Sequence, residues 1–305
     1  MLDFLANNAK LLQFLAINSL LALSIYFTLA CGQLSLANAA FMGIGAYASA
    51  VLTTRAGWPF PAVLLVATLA PALAALAIGL PTLRLRGVFL AIATIGLGEV
   101  LRVIINNAPQ LGGAEGVRQI PIKTADWQLA LALAATLYVA WRLRGSRMGY
   151  AFEAIREDET VARTMGINTT FYKLTAFVLG AALAGLAGAL KAHLFIAITP
   201  GDYGFVAAVD ILTYAVVGGT IHFLGPVLGA SLLTLLPELL RYVGLPAGWQ
   251  RQLLSGTILL LVILFLPNGL VSLFAARWRR RAPLSSSDEV PEERRVEVDA
   301  GAAPG

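Results

Sequence analysis

A single cysteine, Cys31, stands in a chain of 305 residues, which excludes an intramolecular disulfide. Histidine is almost as scarce. His193 and His222 lie in separate apolar stretches with no carboxylate at ligand spacing, so no metal site is expected. The sequence has no Walker loop, HExxH, GxSxG or Cys/His cluster. Without a nucleophile–base pair or a phosphate cradle, the chain is not expected to be an enzyme, nor to bind a cofactor itself. Charge is the largest deficit: 13% of residues are Asp, Glu, Lys or Arg, about half the usual share in soluble domains. The net charge of +5 comes with no basic face interleaved with aromatics, so nucleic acid is not an expected partner.

What fills the chain instead is apolar: 58% of residues are hydrophobic, and the mean hydropathy is +0.77. No charged side chain occurs from Leu11 to Thr54, from Ala56 to Leu83, or from Gln252 to Ala276. Such runs meet the roughly 20 residues needed to cross a hydrocarbon core. Nine apolar segments can be marked, at about 11–30, 36–54, 60–80, 87–105, 127–141, 171–190, 203–219, 223–240 and 253–274. They are long rather than ten-residue alternators, so their backbones must be satisfied as helices. The fold class is therefore an all-α polytopic integral membrane protein with about 8–10 transmembrane helices. It is organised as a transmembrane domain over 1–276 and a polar, Pro/Ser-punctuated tail over 277–305, expected to be disordered.

Basic residues set the orientation. Six of the 22 fall between Arg142 and Lys173, four more are Arg277, Arg279, Arg280 and Arg281, and Arg84 and Arg86 flank another run. Placing all three clusters in the cytoplasm obeys the positive-inside rule and the span count between them. The N-terminus stays open. Three full spans before Arg84 put it outside, and a broken second segment would put it inside.

The charged passage 142–173 reads RLRGSRMGYAFEAIREDETVARTMGINTTFYK. At 100° per residue, Ala151, Ala154, Ile155, Val161, Ala162 and Met165 share one arc, and Glu153, Arg156, Glu157, Glu159 and Arg163 share the other. Gly166 follows as a residue suited to closing a helix at positive φ. One amphipathic helix over 153–166, with its charges presented for docking, is expected; the acidic run Glu157-Asp158-Glu159 argues against a helix lying passively on anionic lipid.

Polar residues inside apolar segments mark other candidates. Glu99 and Arg102 sit at i, i+3 and can pair, either as a lock or pathway lining or as a pair near the outer interface. Asp210 has no sequence-near cation, so it is either shallow or paired with another helix. Gln33, Ser35 and Asn38, ahead of Gly43 and Gly45, suggest an interrupted helix lining a cavity, or ordinary packing. The stripes Gly180-Ala184-Gly188 and Gly225-Gly229 read as packing.

These residues carry a resemblance. Ala154-Ile155-Arg156-Glu157-Asp158-Glu159 with Gly166-Ile167-Asn168, Leu83-Arg84-Leu85-Arg86-Gly87 with Thr94 to Glu99, and Gly32-Gln33-Leu34-Ser35-Leu36 with Ala40 to Tyr47 occur in the order seen in M-type permeases of branched-chain amino acid importers of the ATP-binding-cassette class. Val217-Gly218-Gly219-Thr220, Gly225-Pro226 and Leu266 to Leu270 extend the likeness. The resemblance implies a multi-pass permease of the bacterial inner membrane, with the loop and the tail cytoplasmic. It also implies a homologous second permease, two cytoplasmic ATPase subunits that use the ATP, and an external solute-binding protein. Glu153, Ala154, Arg156, Glu157, Asp158, Glu159 and Gly166 would form the coupling helix seated in an ATPase. His222 and Phe223 depart from the family's small, glycine-rich link, and Gly112 to Gly116 replace its proline-asparagine-glycine passage. The solute therefore stays open among branched-chain amino acids, urea, short amides and other small polar molecules. An ion-coupled secondary transporter using Glu99, Arg102 and Asp210, or a non-transporting membrane scaffold, are the readings from other classes.

Overall fold

The computed structural model describes residues 9–220 and 222–242, with isolated positions between 256 and 271. Among the described residues are eight apolar helices: α1 (Ala9–Ala30), α2 (Asn38–Thr54), α3 (Phe60–Thr82), α4 (Val88–Asn106), α5 (Asp126–Arg144), α8 (Thr169–Ala192), α9 (Phe205–Gly218) and α10 (Leu224–Tyr242). Two short polar helices, α6 (Arg147–Glu157) and α7 (Glu159–Thr164), fill the charged passage. The only strands among the described residues, β1 (Val117–Arg118) and β2 (Ala197–Ile198), pair antiparallel and join two loops at one end of the bundle. By length and composition, α1, α3, α4 and α8 could cross a membrane unaided. The chain is thus an all-α polytopic membrane protein. The ninth apolar segment and the tail 277–305 lie largely or wholly outside the described residues.

Lipid tails are as apolar as leucine, so helices in a membrane associate by close fit rather than by escape from water. That is why the central helix, α8, is built from alanine and glycine (TAFVLGAALAGLAGALKA) and buries most of its length. A Cβ on Gly185 would lie 2.3 Å from Pro71 Cγ and 2.5 Å from the Ala67 carbonyl oxygen of α3. Pro71 has no N–H to offer that carbonyl, so this face of α3 presses directly on the glycine. The Gly180-Gly188 and Gly225-Gly229 stripes are likewise contacts. Added methyls there would meet Ser24, Met42, Gly219 and Tyr214 carbonyl oxygens at 2.0–2.7 Å.

The contacts also fix direction. Cys31 of the α1 end packs with Ala176 of α8, and Gly180 meets Ser24 and Thr28, so α1 and α8 run antiparallel. Arg86, at the start of α4, reaches Glu159, whereas Asp126, at the start of α5, is bonded to Gln13 near the start of α1. Arg84, Arg86, Arg142, Arg144 and Lys173 therefore gather at one end, and Ala9 lies at the other. Three helices separate Ala9 from Arg84, so the two lie at opposite ends of the bundle.

The helices form two inverted sets. α8 packs on α2 and α3 while α1 packs on α9 and α10, and within each set α2 packs on α3 as α9 does on α10. α1, α2 and α3 run toward, away from and toward the charged end; α8, α9 and α10 run the opposite way. Both α2 and α9 begin partway along a neighbouring helix rather than level with its end. Asn38, the first residue of α2, bonds to Ser24, well within α1. Phe205, the first of α9, meets Glu99, well within α4.

Candidate functional site at the charged end of the bundle

The charged passage folds as a helix pair and not as the single helix over 153–166 that its periodicity suggests. The break falls at Asp158, whose backbone is extended (φ −154°, ψ 110°). Its carboxylate Oδ1 accepts the N–H of Thr160 at 2.7 Å and of Val161 at 3.0 Å. Asp158 therefore ends α6 and caps α7, a local hydrogen bond that competes with helix continuation. Ser146 Oγ caps α6 by accepting from Gly149 N at 3.3 Å. At the far end, Ile167 N donates to Ala162 O and Gly166 N to Arg163 O, both at 3.1 Å, with Gly166 at φ +83°. That is the Schellman closure, completed by contact of Ile167 with the Ala162 cluster.

Because the phase shifts at Asp158, the two faces change. Ala151, Ile155 and Ala162 are buried as their arc requires, but Val161 and Met165 are 56% and 79% exposed. Phe152, Ile155 and Ala162 pack against Cys31 of the α1–α2 turn and Ala176 of α8. The Arg156 backbone closes on the same turn: a Cβ at Gly32 (φ +72°) would be 3.0 Å from Arg156 Cα. Glu153 and Glu157 stay exposed, and both lie near the Arg156 guanidinium at 3.9 and 3.5 Å.

Glu159 is the main correction. Sequence periodicity sets it among the outward charges, yet its side chain is only 18% exposed and faces the permease body. Lys173 Nζ of α8 donates to its Oε2 at 2.6 Å, Arg163 Nη2 to its Oε1 at 3.1 Å, and Arg86 Nε lies 3.5 Å away. Burial pushes the Glu159 carboxyl up, but the Lys173 hydrogen bond and the charges of Lys173, Arg86 and Arg163 outweigh it and hold the pKa below its ordinary value. Glu159 thus fastens α7 to α8 and to the α3–α4 turn. Sequence alone gave no sign of this, since Lys173 is 14 residues away and Arg86 belongs to another loop.

The intramembrane candidates separate into two kinds. Asn38 Nδ2 donates to Ser24 Oγ at 2.9 Å, and Ser35 Oγ accepts from Ala37 N at 3.3 Å, so both hold the break between α1 and α2. Both amide atoms of Gln33, which is 2% exposed, have no hydrogen-bond partner among the described residues. Of these three, Gln33 is the side chain whose polar atoms the fold does not use. Glu99 and Arg102 pair at 2.7 Å, and Glu99 Oε1 also accepts from Phe205 N at 3.2 Å. This carboxylate ties α4 to the start of α9, where the helix dipole favours negative charge. Asp210 lies on an exposed face of α9, and the structure brings it together with none of the other candidates. Tyr47 and Tyr203, which sequence reading passed over, stack edge to face at 5.8 Å with both hydroxyls buried and unpartnered among the described residues. No group of three or more His, Cys, Asp or Glu able to hold a metal occurs among the described residues.

An inverted pair of helix sets, with a charged helix pair fastened beneath their two central helices, defines a polytopic membrane permease. The chain belongs to the family described as the branched-chain amino acid transport system permease component, which it matches over residues 8–263. It is 34% identical over 275 residues to the high-affinity branched-chain amino acid transport system permease protein LivM of Salmonella typhimurium, covering 79% of this chain and 64% of that protein. With LivH of Escherichia coli it shares 35% identity over 139 residues, 46% of this chain and 43% of the relative. With the autoinducer 2 import system permease protein LsrC of Yersinia pseudotuberculosis it shares 28% over 196 residues, 60% and 54% of the two chains. The chain spans just under two thirds of the length of the LivM relative it matches. No protein of solved structure matches it.

Proposed function

We propose that this chain is the permease subunit of an ATP-binding-cassette importer and forms half of a path for branched-chain amino acids across the bacterial inner membrane. The observation that carries this reading is the α6–α7 pair. It is rigidly seated under α1 and α8, yet it turns Glu153 and Glu157 outward, which suits an element that passes a displacement from a separate motor. Similarity to LivM supports the solute class. A second permease completes the path, two cytoplasmic ATPase subunits meet the charged end, and an external binding protein delivers solute at the other. The helix pair and the tail 277–305 then lie in the cytoplasm, ATP is used only by the partners, and the chain itself performs no catalysis. Gln33, buried and unpartnered, is its best candidate for a group facing the solute.

The test is uptake of labelled leucine into vesicles holding this chain and its partner subunits, with and without internal ATP. Uptake that requires both ATP and the binding protein supports the reading. Uptake driven by a proton or sodium gradient instead overturns it. ATP hydrolysis stimulated by the binding protein without leucine uptake would keep the importer and move the solute toward another small polar molecule, as the likeness to LsrC allows.

Coupling is tested at the outward face. Glu153→Arg reverses an exposed charge, and Gly166→Leu forces a branched side chain to positive φ in open space. Both are expected to cut uptake at least tenfold while ATP hydrolysis continues and the thermal midpoint changes little for Glu153→Arg. Normal uptake by both variants would remove α6–α7 from the coupling role.

A further inference from the structure

At the charged end, a cavity of about 490 Å3 opens between the last turn of α5, the start of α6 and the turn joining α9 to α10. Arg142 and Arg144 line it from α5, Tyr150 and Glu153 from α6, and His222 and Phe223 from the turn. Neither arginine has a carboxylate within ion-pairing distance among the described residues, and Glu153 is the neighbour of Arg156 at 3.9 Å. The cavity therefore carries uncompensated positive charge. His222 adds a donor: its Nδ1 accepts Leu224 N–H at 3.2 Å, which leaves Nε2 bearing the hydrogen. Its ring is held flat against Phe223, with centroids 4.5 Å apart.

The surroundings indicate what kind of anion fits. Running up from the cavity, α5 exposes Trp141, Val139, Tyr138 and Leu131 at 56%, 42%, 62% and 63%. An apolar flank ending in tryptophan and tyrosine is what the depth of a headgroup layer selects. Arginines at the foot of such a flank meet phosphate with paired N–H donors. The carbonyl end of α5 itself opposes an anion, so binding must rest on the two guanidinium groups.

We propose that this cavity holds the phosphate of an anionic phospholipid, with Arg142, Arg144 and His222 as donors and the acyl chains lying along α5. The aromatic rim and the apolar flank favour lipid over an acidic protein surface, which would need neither. The inference needs only that this end of the bundle lies at a membrane surface. It does not depend on the importer reading.

The experiment is lipid competition on the full-length permease, alone and in its complete assembly, in phosphatidylcholine nanodiscs titrated with phosphatidylglycerol. Bound lipid is counted by native mass spectrometry. Each basic residue near an anionic surface is worth a factor of about five, so R142Q/R144Q is expected to weaken phosphatidylglycerol binding about 25-fold. Arg118→Gln, on the opposite end beside Glu115, is expected to leave it unchanged. His222→Gln is expected to weaken it by a smaller factor. Equal binding of the two lipids, or unchanged binding by R142Q/R144Q, would overturn the proposal. Displacement of the lipid by millimolar inorganic phosphate would assign the cavity to a free anion. Binding seen only without the ATPase subunits would assign it to a protein partner. Either outcome also overturns it, and neither bears on leucine uptake.

Discussion

Gly185→Ala is expected to destabilise the bundle by about 3 kcal/mol or more, at or above the upper end for overpacking. A single methyl there is driven into the backbone and proline ring of α3. From α3 it faces Pro71 Cγ at 2.3 Å and the Ala67 carbonyl at 2.5 Å, and Gly185 is itself the surface on which Gly45 of α2 closes, 2.2 Å from a Cβ built there. None of these neighbours is the end of a flexible side chain, so α3 and α8 must separate along their length. The loss should appear as a sharply lowered thermal midpoint and a low yield of folded protein in membranes. Gly96→Ala is the matched control, because a Cβ at Gly96 meets nothing within 4 Å. It should be neutral or slightly stabilising, since alanine is the better helix former. A Gly185→Ala variant that unfolds with the wild type would show that α3 and α8 do not approach in this way.

Glu159→Ala should rank second, at about 3 kcal/mol, because removing one member of a largely buried ion pair strands the other. Lys173, at 11% side-chain exposure, would lose the carboxylate it is bonded to. Replacing both members together, Glu159→Met with Lys173→Met, should recover most of the loss, as apolar replacement of a buried pair commonly does. Recovery distinguishes a stranded charge from simple loss of packing. The pH dependence has a definite sign. The folded-state pKa of Glu159 lies below its unfolded value, which is about 4.3. The pair therefore contributes fully above that value and loses its contribution as pH falls through the folded pKa. The stability gap between wild type and Glu159→Gln should be constant from about pH 5 upward and should narrow in more acidic solution. A gap that instead closes toward alkaline pH would refute the assignment.

Much of this was legible in the sequence because the bilayer leaves few options. Uncharged runs had to be helices, and the clusters at Arg86 and Arg142 had to share a face; the cluster at Arg277 lies outside the described residues. The Gly166 closure and the glycine stripes could be read because positive φ and close backbone approach admit few residues. The break at Asp158 was missed even though its signal was local. Asp followed by Glu-Thr-Val is a competent N-cap, but an unbroken 100° count conceals a change of phase. Glu159 was misplaced for a different reason. A charge on a helix looks solvated until its partner is known, and Lys173 and Arg86 arrive through tertiary contact. The inverted relation of α1–α3 to α8–α10 was also not read, although both α3 and α10 carry a proline in the first turn and at least one more further in, Pro71 and Pro81 in α3 and Pro237 in α10. Such a likeness surfaces only when the packing partners are compared.

The α6–α7 pair rests at the seam where the inverted sets meet. Phe152 and Ile155 lie against Cys31 beside α1 and Ala176 of α8, and Glu159 is tied to α8 through Lys173. α1 and α8 are the equivalent members of the two sets, so the pair is a yoke and not a handle on one half. On the proposed importer reading, a push delivered there would reach both repeats together, and their movements would be timed by a shared seat, without any signal passing from one half to the other.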